Sequence, residues 1–407
     1  MVPPDCKRMA MSQLITKVHI KNYRALADVS VDLRDLNVFF GPNGAGKSTF
    51  LDTVWFVRDC AIRSVELASA ARSHGIGLLF DGAGEGEQIT VAVSTGELEY
   101  QLTLGLSSGR IDPFAGEILR RFSDGLHLIS RAAGSDKADF YNAGIHDPVN
   151  VALREPHKLS LGRYLDFDSR INAAASLDRI LHFVHFYHCR HLNLWSLKNR
   201  GSEASYETWL WDRGDNLWSV LRNLDGKRQI DDRYTTILNY MQQAFPTFDG
   251  VVMEATGASS VYGSFLEKGR RKPIRASGVS DGHLQLLCML TALFAEGKDR
   301  DAVLIFDEPE ISLHPWAISV LAEAMKTAAT SWKKQILLAT HSPVLISQFE
   351  PKDILVAESC NGQAVFQRLC QISEVQDLLE KYAAGALYMA EEVGKQSVAA
   401  PSAELAQ

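Results

Sequence analysis

The chain has 407 residues, 46% of them hydrophobic and 22% charged, with a formal net charge of −7. Such a composition excludes disorder, collagen-like repeats and coiled coil as states of the whole chain, and the length suits one large α/β domain with an inserted subdomain or two ordinary domains. A net acidic chain is not a general nucleic-acid coat, so any DNA contact must come from a local patch.

Six scattered cysteines with no C-x-x-C pair suit a reducing cytosol better than a disulfide framework or a thiolate zinc site. The longest apolar stretch, residues 284–295, falls short of the roughly 20 residues that span a membrane. Residues 1–13 lack the apolar centre of a secretory signal and are expected to form a flexible start. The expected location is therefore cytoplasmic.

Over residues 14–40, apolar side chains alternate at Ile15, Val18 and Ile20, alternate again at Val29, Val31 and Leu33, and end in the unbroken run 36–40. This predicts two edge strands feeding a buried one. Residues 48–62 carry Phe50, Leu51, Val54, Trp55 and Val57 with no proline, which predicts a helix packed on a sheet. Residues 75–105 alternate between glycines, as antiparallel hairpins do. Residues 111–249 mix helical stretches with loops rich in Arg, His and Trp, and are expected to form a mainly helical inserted subdomain. Strand periodicity returns over 250–274, followed by a helix from about Asp281, a buried strand over 302–306, a helix over 315–328 and a strand over 335–339. The expected division is 14–110 and 250–390 as two parts of one α/β core, 111–249 as the insertion and 391–407 as a disordered Ser/Ala/Pro-rich tail.

Gly41-Pro42-Asn43-Gly44-Ala45-Gly46-Lys47-Ser48 fits the phosphate-loop pattern, with an apolar strand before it and a helix after it. Its glycines let backbone N–H groups curl around a β-phosphate at a helix N-terminus. Lys47 would reach the β- and γ-phosphates and the Ser48 hydroxyl would ligate magnesium, with Thr49 beside them counted among the binding residues. The strand over 302–306 ends in Asp307 and Glu308, where a parallel sheet presents its ligand site. Asp307 would hold magnesium, and Glu308 would polarise the attacking water. His341 follows another apolar strand, so it reaches the same sheet edge and can hydrogen-bond a γ-phosphate oxygen.

Together these residues resemble the ABC ATPase superfamily, in the soluble branch that includes RecF, the SMC proteins and the OLD-family ATPases, and they look like stand-alone bacterial AAA-family ATPases of RecF/OLD type. The resemblance implies an α/β fold, an ABC-type P-loop NTPase head with a mixed sheet, hydrolysing ATP with Mg2+. It also implies a homodimer that closes on ATP. Gly278-Val279-Ser280-Asp281-Gly282-His283-Leu284 looks like a divergent L-S-G-G-Q signature, in which Ser280 and Gly282 would bind the γ-phosphate held by the other copy. The departures at Asp281 and His283 bear on turnover rate. Leu313-His314-Pro315 resembles the D-loop region, Arg24 would approach the nucleotide, and Gln88 or Gln101 would be the Q-loop glutamine. The implied role is DNA maintenance, DNA repair or anti-phage defence. Its implied partners are double-stranded DNA and a separate nuclease or other effector, because few residues follow His341 and they lack a D-x-D cluster. The energising subunit of a membrane transporter and a non-hydrolysing nucleotide switch are the alternatives.

Two further signals stay open. His182, His185, His188 and His191 recur every three residues, which suits either zinc or, since a spacing of three alternates faces of a strand, histidines packed in an aromatic strand. Residues 268–275 carry five positive charges in eight residues, which suits either DNA phosphates or a solvated hairpin tip.

Overall fold

The computed structural model describes residues 14–84, 86–107, 110–168, 170, 172–257, 259–298, 300–372 and 383–390. The expected flexible start and disordered tail lie outside the described residues. The chain opens with the hairpin β1 (Lys17–Tyr23) and β2 (Leu26–Asp32), then β3 (Leu36–Phe40) and, across the glycine loop, α1 (Lys47–Ile62). Next come α2 (Val65–Ala70), β4 (Ile89–Ser94), β5 (Leu98–Leu104), the short β6 (Leu106–Ser107) and β7 (Arg110–Ile111), and the meander β8 (Gly116–Arg121), β9 (His127–Arg131), β10 (Lys137–Asn142) and β11 (Asp147–Ala152). α3 (Ser160–Phe167) and α4 (Asn172–His182) lead into β12 (Val184–His188), followed by α5 (Leu194–Asn199), β13 (Ser202–Glu203), α6 (Leu217–Asp225) and α7 (Arg233–Ala244). The hairpin β14 (Phe248–Ala255) and β15 (Ser260–Glu267), with β16 (Ile274–Arg275), precedes α8 (Asp281–Phe294), β17 (Ala302–Asp307), α9 (Pro315–Ser331), β18 (Lys334–Thr340), α10 (Pro343–Ile346), β19 (Ile354–Cys360) and β20 (Gln363–Arg368).

Two sheets organise these elements. One is antiparallel, in the order β11-β10-β9-β8-β5-β4-β1-β2. The other runs β12-β17-β18-β3-β19-β20, parallel except for β20. The second is covered on both faces, so its strands read as continuous apolar runs, and their period of two sends successive side chains into two different cores. Leu36, Val38, Phe40, Leu304, Phe306, Ile336 and Leu338 pack with α6, α7, α8 and α9, whereas Phe39, Val303, Ile305 and Leu337 pack with α1 and the antiparallel sheet. Each such side chain, fully buried, contributes about 1.5–3 kcal/mol of transfer free energy. The apolar run over 284–295, too short for a membrane, forms most of α8, which packs against α6, α7 and α9 with Leu284 and every residue from Gln285 to Phe294 buried. The amide of Gln335 joins the two ends of the core, accepting from Ile15 N at 3.2 Å and donating to its carbonyl at 2.7 Å.

The mixed-sheet P-loop architecture is the one expected, but two local expectations change. β1 is not an edge strand: it lies between β2 and β4, because the hairpins over 75–105 add to its free side. The segment 111–249 is not simply a helical insertion, since β8 to β11 extend the antiparallel sheet and β12 enters the parallel one.

Candidate functional site

The carboxyl ends of β12, β17, β18 and β3 lie side by side, so the loops that leave them form one edge. At the end of β3, Gly41 has φ +148°, and a Cβ placed on it would sit 2.0 Å from the Ala357 carbonyl oxygen of β19. The loop lies directly on backbone there, which only glycine allows. Gly44 and Gly46 have φ +81° and +88°. Gly46 is the N-cap of α1, and the first turn of that helix has neither a side-chain cap nor an acidic residue. Its amides are left for an external anion, helped by the helix dipole. Asn43 is exposed and Ala45 buried in this loop, and Thr49 continues the first turn. The buried Lys47 donates to the carbonyls of Gly41 at 2.9 Å and Pro42 at 2.8 Å. Burial pulls its ammonium down to about 8, against the opposing pull of Asp307, Glu308 and Glu310.

Ser48 Oγ donates to Asp307 Oδ1 at 3.0 Å, and the other carboxylate oxygen lies 3.4 Å from His188 Nδ1. A hydroxyl and a carboxylate side by side form an oxygen donor set suited to a hard divalent cation. Glu308 adopts φ +52°, a left-handed backbone costing about 1–2 kcal/mol for a residue with a Cβ. Its N–H donates to the Ala339 carbonyl at 2.8 Å, which helps hold that conformation. The Glu308 carboxylate pairs with Arg190 and lies 3.6 Å from His341 Nε2. Burial, then the nearby Lys47, lower the His341 pKa, which favours the neutral imidazole. Glu310 joins the two strand ends: its Oε1 accepts from Thr340 Oγ1 at 2.6 Å and His341 N at 3.1 Å, while burial raises its pKa.

The side chains of the signature-like residues are engaged by partners other than this cluster. Ser280 caps α8 in position but not by hydrogen bonding, since its hydroxyl pairs with His283 Nδ1 at 2.7 Å. His283 stacks on Phe245 with ring centroids 3.6 Å apart, and Asp281 pairs with Lys198 at 2.5 Å. The two departures from the family pattern are thus engaged within the chain. A Cβ on Gly282 would lie 2.5 Å from the Ser312 carbonyl oxygen, so glycine is what lets α8 approach the loop after Glu308.

His188 and Arg190 were not assigned from sequence. No local signal marked them, because the strand over 184–188 reaches Asp307 only by pairing with β17. The four histidines do not share one point, although the His188 and His191 rings lie 5.4 Å apart. His182 pairs with the Asp178 carbonyl at 2.8 Å, His185 with Glu296 at 2.9 Å while stacked on Trp209, and His188 faces Asp307. Among the described residues, no group of three or more His, Cys, Asp or Glu is placed to hold a metal ion. Gln101 bonds Thr103 on its own strand at 3.5 Å, and the Gln88 carbonyl accepts from Asn22 at 3.2 Å. Arg24 pairs with Asp52 of α1 at 3.3 Å. Residues 268–273 form the exposed turn between β15 and β16.

This arrangement of loop, strand ends and sheet order defines an ABC-type P-loop ATPase head of the RecF/SMC/OLD branch. A crystal structure described as the SmcHead bound to the C-winged helix domain of ScpA covers 90% of this chain and 99% of its own at a TM-score of 0.51, with 12% identity, a likeness of fold. Residues 36–347 match the family described as "AAA domain, putative AbiEii toxin, Type IV TA system", and the chain belongs to that family. It is 21% identical over 373 residues to the Old nuclease of Escherichia phage P2, covering 86% of this chain and 60% of that protein. It is also 22% identical over 393 residues to the endonuclease GajA of Bacillus cereus (strain VD045), covering 90% of this chain and 62% of the relative. The chain thus spans about three fifths of the length of these relatives. Among the described residues, no helix is long and apolar enough to cross a membrane.

Proposed function

We propose that this chain binds ATP with magnesium at the loop over 41–48 and hydrolyses it between two copies of itself, in the cytoplasm. The observation that carries the reading is the meeting of Lys47, Ser48, Asp307, Glu308 and His341 at one sheet edge, although they come from three separate strand ends. Lys47 and the loop amides would offset the charge of the β- and γ-phosphates. Ser48 and Asp307 would hold the magnesium ion, which when bound neutralises phosphate oxygens. Glu308 would take a proton from the water as its oxygen bonds to the γ-phosphorus, while the bridging P–O bond breaks and its electron pair leaves on ADP. A neutral His341 would donate a hydrogen bond to a γ-phosphate oxygen. Ser280 and Gly282 of the second copy would close the site, linking ATP to the dimer.

The biological setting we infer is DNA maintenance, DNA repair or anti-phage defence with a separate effector. Two relatives named as nucleases support it, as does the exposed basic turn at 268–273. Turnover of the purified protein, with and without double-stranded DNA, is the first test. Glu308→Gln is expected to lower turnover by about 10²–10⁴-fold and to accumulate as an ATP-dependent dimer by light scattering. A variant that keeps full turnover would remove Glu308 from the mechanism, and turnover indifferent to DNA would point to a protein activator.

A further inference from the structure

The hydrolytic reading leaves a second cavity unused. It lies between α1, the end of β12 and α5, holds about 640 Å³, and is lined among others by Trp55, Phe186, Arg190, His191, Trp195 and Arg213. Its size falls within the range of small-molecule sites. Trp195 is 61% exposed and carries the Arg200 guanidinium over its ring, 4.9 Å from the centroid, so the plane is already set beside a cation and lies outside the core. Trp55 meets Phe186 edge to face at 6.0 Å and holds the Arg58 guanidinium 4.3 Å from its ring centroid, which fixes a second aromatic ring in the wall. The exposed guanidinium of Arg213 makes no hydrogen bond or ion pair among the described residues, and Arg190, 68% exposed, is engaged only by Glu308. The lining also carries a half-buried carboxyl, Asp212, whose pKa burial raises.

Aromatic planes beside arginines match a nucleobase carrying a phosphate: the rings stack on the base and the guanidiniums grip phosphate oxygens. A purely apolar ligand would desolvate two guanidiniums without pairing them, and inorganic phosphate would leave the rings unused. We propose that this cavity binds a nucleotide unit separate from the ATP at the phosphate loop, either the end of a single strand or a free mononucleotide, and that its phosphate draws Arg190 away from Glu308. The coupling follows from Arg190 belonging to both places. While Arg190 holds Glu308, that carboxylate oxygen is occupied and is not free to accept from the attacking water. A phosphate offers the guanidinium a bidentate partner instead. Only this coupling rests on the ATP-hydrolysis reading; binding in the cavity does not.

Binding is tested first, by fluorescence anisotropy of a fluorescein-labelled oligothymidylate without ATP, in a Lys47→Ala background confirmed folded by circular dichroism so that the phosphate loop does not hold the probe. Trp195→Ala and Arg213→Ala are each expected to weaken binding about ten-fold or more, and Arg271→Ala with Lys272→Ala in the basic turn to leave it intact. The site is overturned if the turn variants abolish binding while the cavity variants do not, or if neither probe nor mononucleotide binds. Competition by thymidine monophosphate at comparable concentration identifies a free nucleotide as the ligand; its failure to compete identifies a strand. Turnover then tests the coupling: Arg190→Gln is expected to raise basal turnover several-fold and to remove the response to ligand. A variant that still responds overturns it. Absence of turnover under every condition would instead refute the ATP-hydrolysis reading, and the coupling with it, while the binding result stands.

Discussion

Gly41 has no room for a side chain, since a Cβ would lie 2.0 Å from the Ala357 carbonyl oxygen at a φ of +148°. Gly41→Ala must push the loop off β19, and is expected to lower stability by about 2–4 kcal/mol, read as a shift of the urea midpoint. The same change should weaken nucleotide binding, because the amides of the loop would no longer point inward together. An unchanged midpoint would mean that β19 can yield. The motif spacing made the phosphate loop, Asp307 and Glu308 legible in the sequence, because each follows an apolar run that ends abruptly. Arg190 was not legible, because its pairing with Glu308 spans 118 positions along the chain and depends on β12 lying next to β17.

Among the elements, β8 and β9 were missed for a common reason. Each carries a polar side chain at an inward position, which interrupts the alternation by which a half-buried strand is recognised. Glu117 and Arg131 are both fully buried, paired at 3.0 Å, and Glu117 also accepts from Tyr100 at 2.6 Å and from the backbone N–H of Ser160. His185 of β12 is similarly buried against Glu296. Such groups are tolerated only because their partners are supplied from distant strands and helices. Lys334 opens β18 in the same manner, its ammonium on the carbonyls of Gly297 and Arg300, and burial lowers its pKa to about 8. The folded pKa lies below the unfolded value of about 10.4, so between these the unfolded chain binds more protons and this lysine's contribution to stability rises with pH, by at most about 1.4 kcal/mol per unit. Replacing Lys334 by Met removes that rise. The gap between the urea midpoints of the two proteins should therefore change between pH 7 and pH 9.5; a constant gap would show that Lys334 titrates normally.

At the scale of the whole molecule, the dimer reading makes each nucleotide site from two chains. Lys47→Ala disables the phosphate loop and Ser280→Arg the surface facing the partner, so each variant alone is expected to be inactive. Mixed in equal amounts, about half the dimers pair the two variants and each of those has one intact site, so turnover returns to about a quarter of the unaltered level. Additive inactivity after mixing would place a complete site within one chain. The sequence by itself determined the phosphate loop, the carboxylate strand end, the helices flanking them and the P-loop class, because local spacing and apolar periodicity encode all of these within short windows. Tertiary structure alone decided that residues 116–152 widen the antiparallel sheet, that β12 borders the edge holding the phosphate loop and Asp307, and that Arg190 and His188 face Glu308 and Asp307. Those facts depend on which strands become neighbours, a choice settled by burying two cores at once and by pairing polar groups far apart in the chain, and no local window contains it.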